Sequence, residues 1–241
     1  LMAQNKTYQA TMKLGLVTDS QDITGEVQEQ HDPSAVTPAQ IEAVCQRFVG
    51  AIEQIPPMFS ALKKDGVPLY RLARKGVEIE RQKRSITIES LRIDAVDGDE
   101  ITLTVDCSKG TYIRTLCHDI GRELGCGACM TSLRRTRSGA FDESMAITVD
   151  QLMAGEFTLL PALNALDGMQ QVQLADTGLS RLRDGIPPRQ EDVDDSPEMQ
   201  ALQTVCLMAG ATLMAIAQYD PDHELDERGE FKLLKVFPQG I

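Results

Sequence analysis

The sequence lacks any long hydrophobic run and any pattern typical of a secretory signal peptide. A membrane-spanning helix needs about 20 consecutive apolar residues, and no stretch of the 241 residues approaches that length. The chain has six cysteines, but their spacing is not that of a disulfide framework, which indicates reduced thiols. From these absences we expect a cytoplasmic protein with no membrane partner.

Signatures of metal sites and of repeat architectures are also missing. The pair Cys126-Gly-Ala-Cys129 has a spacing found in zinc and redox sites. A zinc site needs a second pair of ligands and a redox motif needs a thioredoxin-like context, and neither is evident. We therefore interpret both cysteines as packing residues and expect no metal.

Basic residues are in deficit, with 24 Lys and Arg against 36 Asp and Glu. The net charge of −12 argues against nucleic-acid binding at first sight, because such proteins need a basic surface. The charge is unevenly distributed, however, since residues 63–137 carry a net charge of +4 and residues 171–241 one of −7. Local potential decides where a polyanion binds. Residues 63–137 could therefore form an RNA-binding surface or an ordinary solvated face.

The most informative stretch is Cys107-Ser-Lys-Gly-Thr-Tyr-Ile-Arg-Thr-Leu116. Alternating apolar residues before it predict a half-buried strand, Ser108-Lys109-Gly110 is typical of a turn, and helical periodicity follows from Ile113. Arg114 is thus expected in the first helical turn, where the helix dipole disfavours a cation. An arginine in that position needs an anionic partner such as a carboxylate or phosphate, although an ordinary surface ion pair is the alternative.

Four ordered blocks resemble the bacterial TruB family of tRNA pseudouridine-55 synthases. The blocks are Lys6-Thr7-Tyr8 with Leu14-Gly15 and Thr18-Asp19-Ser20-Gln21-Asp22, then Gln54 to Gly76, the CSKGTYIR motif at 107–114, and Leu133-Arg134-Arg135. The resemblance implies isomerisation of uridine 55 to pseudouridine in the T loop of tRNA, without a cofactor. It also implies tRNA, through its T stem-loop, as the partner of a protein that we expect to be a monomer.

The resemblance also implies roles for individual residues. Tyr8 corresponds to the aromatic residue that packs on the target base, Arg114 to the partner of the nucleophilic aspartate, and Leu133 to an apolar pocket residue. Further motif positions are expected to contact RNA or to support the pocket. They are Asp22, Lys63, Arg74, Lys109, Tyr112, Arg134 and Arg135.

One family block has no counterpart in this sequence. The family's nucleophilic aspartate lies in a GxLDPxATG block upstream of the tyrosine matched by Tyr8, and only seven residues precede Tyr8. We therefore expect that the nucleophile lies upstream of Leu1, that the chain is N-terminally truncated, and that it is inactive alone. An alternative is a non-catalytic tRNA-binding or tRNA-folding module. A guide-RNA-dependent relative would need more partner-binding surface than the acidic C-terminal segment offers.

Periodicity and resemblance together predict an α+β protein with a mostly antiparallel sheet. Residues 1–170 are expected to form the pseudouridine synthase catalytic domain and residues 171–241 a small β-rich, PUA-like domain. Specific expectations are a strand over 8–16, a helix from Thr37-Pro38 whose apolar stripe reaches Ile52, strands at 77–79 and 86–93, a hairpin turn at 97–99, and strands near 205–208, 213–217 and 231–236.

Overall fold

A computed structural model describes residues 4–166, 168–194, 198–222 and 229–241 of the chain. The chain forms two compact units, Leu1–Ala146 and Ile147–Ile241. The expected α+β class with mostly antiparallel sheets is confirmed. The domain boundary expected after residue 170 lies further along the chain than the division between the two compact units, and it stays a prediction.

The first unit is built on a six-stranded antiparallel sheet. The strands of this unit are β1 (Lys6–Leu14), β2 (Leu16–Thr18), β3 (Val27–Gln30), β4 (Gly50–Gln54), β5 (Lys63–Lys64), β6 (Val67–Pro68), β7 (Arg84–Asp97), β8 (Glu100–Cys107), β9 (Ala128–Ser138) and β10 (Phe141–Asp142). The sheet order is β10-β9-β1-β8-β7-β4, while β2–β3 and β5–β6 form separate hairpins. β1 and β8 are therefore central strands, flanked on both sides.

One face of this sheet forms the core of the first unit. Ile101, Leu103 and Val105 alternate along β8 and are completely buried. Helices α1 (Pro38–Arg47) and α3 (Ile113–Glu123) contribute buried residues to the same core, among them Leu116 and Ile120, whereas α2 (Leu69–Ala73) is a single short turn. Residues 143–145 form a 3-10 turn. Period-two alternation in β8 and helical spacing in α3 thus bury one face of each element.

Helix α1 begins where the sequence predicts and ends earlier. The Thr37 side chain and Gln40 form a reciprocal capping box at its start. Its last residue is Arg47, so the predicted extension of the stripe to Ile52 is wrong. Gly50 has φ +104°, which a helix does not allow, and Ile52 instead pairs with Ile86 in the sheet.

The strand expected at 77–79 is wrong as well. Val77 donates its backbone N–H to Leu72 at the end of α2, and residues 77–83 belong to no strand. Two alternating apolar residues are too short a pattern to specify a strand without a neighbouring partner. The hairpin turn at 97–99 is confirmed, since β7 ends at Asp97, Gly98 has φ +60° and β8 starts at Glu100.

The second unit carries a four-stranded sheet in the order β11-β12-β13-β14. Its elements are α4 (Val149–Ala154), β11 (Gln170–Gln173), α5 (Asp176–Arg183), β12 (Thr204–Ala209), β13 (Thr212–Tyr219) and β14 (Phe231–Val236), with 3-10 turns at 162–166 and 190–192. The three predicted strands are confirmed, and β11 adds a parallel pairing with β12. None of the helices in the described ranges is long and apolar enough to cross a membrane.

Candidate functional site

The start of α3 is held by a side chain from an edge strand of the main sheet. Tyr112 is the N-cap residue of α3 and provides no side-chain cap itself. The Tyr112 N–H donates to Gln54 Oε1 at 2.8 Å, and Gln54 Nε2 donates to the Tyr112 carbonyl at 3.0 Å. Gln54 is only 3% exposed. Gln54 begins the second family-like block, yet sequence reasoning did not assign it to the site, because its partner Tyr112 is 58 residues away in the chain.

Arg114 lies in the first turn of α3, as predicted, and is half-buried. Its Nη2 donates to the carbonyl of Phe59 at 2.7 Å. Within the described residues, no carboxylate forms an ion pair with Arg114. A guanidinium has five N–H donors, so most of them remain available for an anionic group.

Tyr8 and Leu133 lie on one face of neighbouring strands. In the registers of β1 with β8 and β9, Tyr8 is opposite Val105 and Arg135, and Leu133 is opposite Ala10. Tyr8 is half-buried against the core that also contains Ile113 and Leu116, whereas Leu133 is 45% exposed. Because directly opposed residues share a sheet face, Tyr8, Leu133 and Arg135 present an aromatic ring, an apolar group and a cation together.

Arg134 occupies a different position from its neighbour Arg135. Successive side chains of a strand point to opposite faces, so Arg134 lies on the other face of the sheet, opposite Gln9. Its Nε donates to Glu143 at 2.7 Å. The structure therefore separates two arginines that the motif places side by side.

Three predicted RNA-contacting cations are exposed in loops and short elements. Lys109 lies in the turn between β8 and α3, and Lys63 lies in β5. Arg74 caps the C-terminus of α2, with its guanidinium carbon 5.6 Å from the centre of the Tyr70 ring. Such stacking orients a guanidinium while leaving its edges free to bind an anion.

The turn that contains Asp22 contacts both β9 and α3. Asp22 Oδ1 accepts hydrogen bonds from the Thr24 N–H at 3.0 Å and the Thr24 hydroxyl at 2.7 Å, so this carboxylate stabilises its own turn. The preceding residue, Gln21, has φ +62° and accepts a hydrogen bond from the Thr115 hydroxyl at 2.7 Å. Left-handed backbone at a residue other than glycine costs free energy, and here the contact with α3 stabilises it.

A cavity of about 400 Å³ lies beside this turn, with Gln21, Phe59, Arg81 and His118 among its lining residues. His118 is half-buried. Burial, reinforced by the positive charge of Arg122, lowers the pKa of His118. Its Nδ1 is buried without a hydrogen-bond partner among the described residues. Both effects favour the neutral imidazole.

A polar network on the other sheet face ties β1, β7, β8 and β9 together. The Asp106 carboxylate accepts hydrogen bonds from Thr7, from Ser90 at 3.0 Å and from Arg137 at 2.9 Å. Partial burial raises the pKa of Asp106, but the hydrogen bonds from Thr7, Arg137 and Ser90 outweigh it, and the pKa lies below its ordinary value. The network keeps Asp106 ionised and fixes the strands that carry Tyr8 and Leu133.

Cys126 and Cys129 are both buried, which agrees with their interpretation as packing residues. Burial raises the pKa of Cys117, in the neighbouring α3, to about 12. Among the described residues, no three His, Cys, Asp or Glu side chains are grouped closely enough to hold a metal ion.

Solved structures share this fold over almost the whole chain. A Cbf5-Nop10-Gar1 complex contains a chain with a TM-score of 0.70 and 23% identity, in an alignment covering 99% of this protein and 68% of that chain. A structure of an H/ACA RNP bound to a substrate RNA containing 2′-deoxyuridine gives a TM-score of 0.67 at 21% identity, with 98% of this protein and 67% of that chain aligned. At these identities, the likeness concerns the fold alone.

Sequence comparisons are more specific. Residues 1–113 match the N-terminal domain of the TruB family of pseudouridylate synthases, and residues 114–161 match the C-terminal domain of tRNA pseudouridylate synthase B. tRNA pseudouridine synthase B of Syntrophotalea carbinolica is 44% identical, with 100% of this chain and 80% of that protein aligned. Its Geobacter sulfurreducens counterpart is 46% identical over 96% of this chain and 79% of its own length. The chain therefore belongs to the TruB family of pseudouridylate synthases.

Proposed function

We propose that this chain carries most of the active site of an enzyme that converts uridine to pseudouridine in tRNA, at position 55 in the T loop. The observation that carries the proposal is the geometry around α3. Tyr8 and Leu133 share one sheet face, and Arg114 is a half-buried cation with donors available for an anion. All three lie in the segments matched by the two family domains.

The reaction is an isomerisation, in which the bond between uridine N1 and C1′ breaks and a bond between C5 and C1′ forms, while C5 loses a proton and N1 gains one. A base must leave its stack and enter a pocket for such chemistry. Tyr8 would pack on the base and assist loss of the C5 proton, and Leu133 would form an apolar wall. No metal or organic cofactor takes part in this proposal.

Arg114 would pair with the nucleophilic aspartate. An opposite charge within about 4–6 Å lowers a carboxylate pKa by roughly 1–3 units, which keeps the nucleophile ionised in a closed pocket. Because no described carboxylate pairs with Arg114, we propose that the aspartate comes from sequence upstream of residue 1. We use the name extended enzyme for a protein that contains residues 1–241 together with the residues encoded upstream of them.

One copy of this chain would bind the T stem-loop of tRNA through residues 63–137, called the basic segment because they carry a net charge of +4. Lys63, Arg74 and Lys109 are exposed, and Arg135 lies beside Tyr8 on the proposed catalytic face. Arg134 is paired through Nε with Glu143 on the other face, so any contact that it makes with RNA would come from that face and not from the one that carries Tyr8. RNA loops are recognised through shape, stacking and backbone contacts, which suits dispersed cations.

The position of modification can be tested directly. We expect the extended enzyme to convert uridine 55 of an unmodified T stem-loop transcript and no other uridine. Chemical mapping of pseudouridine would identify the site, and a transcript with cytidine at position 55 is the matched control. Conversion of that control, or of a different uridine in the first transcript, would contradict the assignment to position 55.

Binding of tRNA should depend on the basic segment. We expect the double variant Lys63→Glu, Arg74→Glu to weaken tRNA binding and to reduce its salt dependence by about one unit of slope for each phosphate that is no longer neutralised. Filter binding at several salt concentrations measures both quantities. Lys232→Glu, Lys235→Glu is a matched control, because these lysines are exposed on β14 in the acidic second unit. Equal effects of the two double variants would place the RNA elsewhere.

A non-catalytic tRNA-binding or tRNA-folding module is the second candidate. The observation in its favour is that Arg114 bonds a backbone carbonyl and pairs with no described carboxylate. Such a protein would bind tRNA through the same basic segment and would form no pseudouridine, even in its extended form. The assay of the extended enzyme therefore separates the two candidates.

A further inference from the structure

We infer that Gln54 is a positioning residue that orients Arg114 for catalysis. The inference rests on the proposed function, since it concerns the same site. It starts from the first turn of α3, which Tyr112 begins without a side-chain cap of its own. The first N–H groups of a helix have no intrahelical acceptor, so they need partners from outside the helix, and in α3 Gln54 provides one.

Gln54 makes the required contacts from a buried position. It is the last residue of β4, an edge strand of the main sheet, and its backbone pairs with Arg84 of β7. Its amide oxygen accepts from the Tyr112 N–H, and its amide nitrogen donates to the Tyr112 carbonyl. Gln54 is 3% exposed, so loss of its side chain would leave the Tyr112 N–H without its acceptor, whereas the Tyr112 carbonyl would still accept from the Leu116 N–H at 3.0 Å.

The segment that begins at Gln54 also contacts Arg114 directly. Five residues after Gln54, the Phe59 carbonyl accepts from Arg114 Nη2 at 2.7 Å. Pro56 and Pro57 lie between these contacts and are buried. Proline fixes its own φ and restricts the preceding residue, so the two contacts are joined by a stiff connection.

Residues 54–59 therefore contact the start of α3 at two positions. Gln54 fixes the backbone of Tyr112, and Phe59 fixes the guanidinium of Arg114 two residues later. Loss of the first contact would let the helix start move relative to the carbonyl that holds the guanidinium. Displacement of a catalytic group by about 1 Å can cost about a hundredfold in rate. Gln54 thus acts through Arg114 and need not touch the substrate.

The test compares Gln54→Met with Thr37→Ala in the extended enzyme. Methionine has nearly the shape of glutamine and makes neither hydrogen bond to Tyr112. We expect Gln54→Met to lower kcat by about tenfold to a hundredfold, with KM and tRNA affinity unchanged within about twofold. Thr37→Ala removes a side-chain cap from a different helix, α1, and should leave kcat unchanged. Unchanged kcat in Gln54→Met, or an equal loss in Thr37→Ala, would overturn the inference.

A double-variant cycle distinguishes positioning from a general structural role. If Gln54 acts through Arg114, then Gln54→Met should cause little further loss of single-turnover rate in an Arg114→Lys background. The same fold loss in both backgrounds would overturn the inference. Should Gln54→Met fail to fold, Gln54→Glu decides, because its carboxylate keeps an acceptor for the Tyr112 N–H but no longer donates to the Tyr112 carbonyl. We expect a lowered kcat in that variant, and a normal kcat is the contrary result. An inactive wild-type extended enzyme would instead refute the proposed function itself.

Discussion

Residues 1–241 by themselves are expected to form no pseudouridine in tRNA. The proposed chemistry requires a nucleophilic carboxylate paired with Arg114, and none of the described carboxylates occupies that position. Nucleophile and electrostatic partner act as a unit, so removal of a nucleophile typically lowers the rate by about 10⁴-fold or more. A tritium-release or chemical-mapping assay on unmodified tRNA would measure the activity.

The extended enzyme is the control for this experiment. Restored activity on extension would locate the nucleophile upstream of residue 1, as proposed. Pseudouridine formation by residues 1–241 alone would show that a carboxylate within the chain serves as nucleophile. Inactivity of both forms, together with retained tRNA binding, would favour the non-catalytic binding module.

Arg114→Ala should abolish turnover by the extended enzyme while leaving most of its tRNA affinity. The cation has to keep the nucleophile ionised in a pocket with little water, and removal of such a preorganised group commonly costs about 10²- to 10³-fold or more in kcat. Arg114→Lys should also lose most of the activity. A compact ammonium cannot bond both the Phe59 carbonyl and a carboxylate with the planar geometry of a guanidinium.

Arg122→Ala provides a matched control, because Arg122 is an exposed arginine in the last turn of the same helix. We expect its kcat to stay within about twofold of the unsubstituted enzyme. Near-normal turnover in Arg114→Lys would show that a planar guanidinium is unnecessary at this position. A large loss of tRNA affinity in Arg114→Ala, with little change in kcat, would instead assign the arginine to RNA binding.

Local sequence signals predicted the elements that depend on near neighbours. The turn at 108–110 and the helical periodicity after it correctly placed Arg114 in the first turn of α3. The capping box at Thr37 and the hairpin glycine at position 98 were equally informative, since both act over a few residues. The end of α1 and the connection at 77–83 were mispredicted. Ile52, after the end of α1, pairs with Ile86, which is distant in sequence. Residues 77–83 belong to no strand, so their apolar residues have no partner in a sheet.

The sequence by itself determined the family, the α+β class and the candidate catalytic residues Tyr8, Arg114 and Leu133. Motifs and periodicity depend on residues that are close together in the chain, so they can be recognised without the structure. Only the tertiary structure decided which groups surround them. It placed Gln54 against Tyr112, Phe59 against Arg114, and Arg134 on the opposite face from Arg135. Residues 54 and 112 are 58 positions apart, and they meet only because β4 belongs to the sheet on which α3 packs. A contact that depends on strand order and packing produces no periodic pattern in the sequence, so it cannot be predicted from the sequence alone.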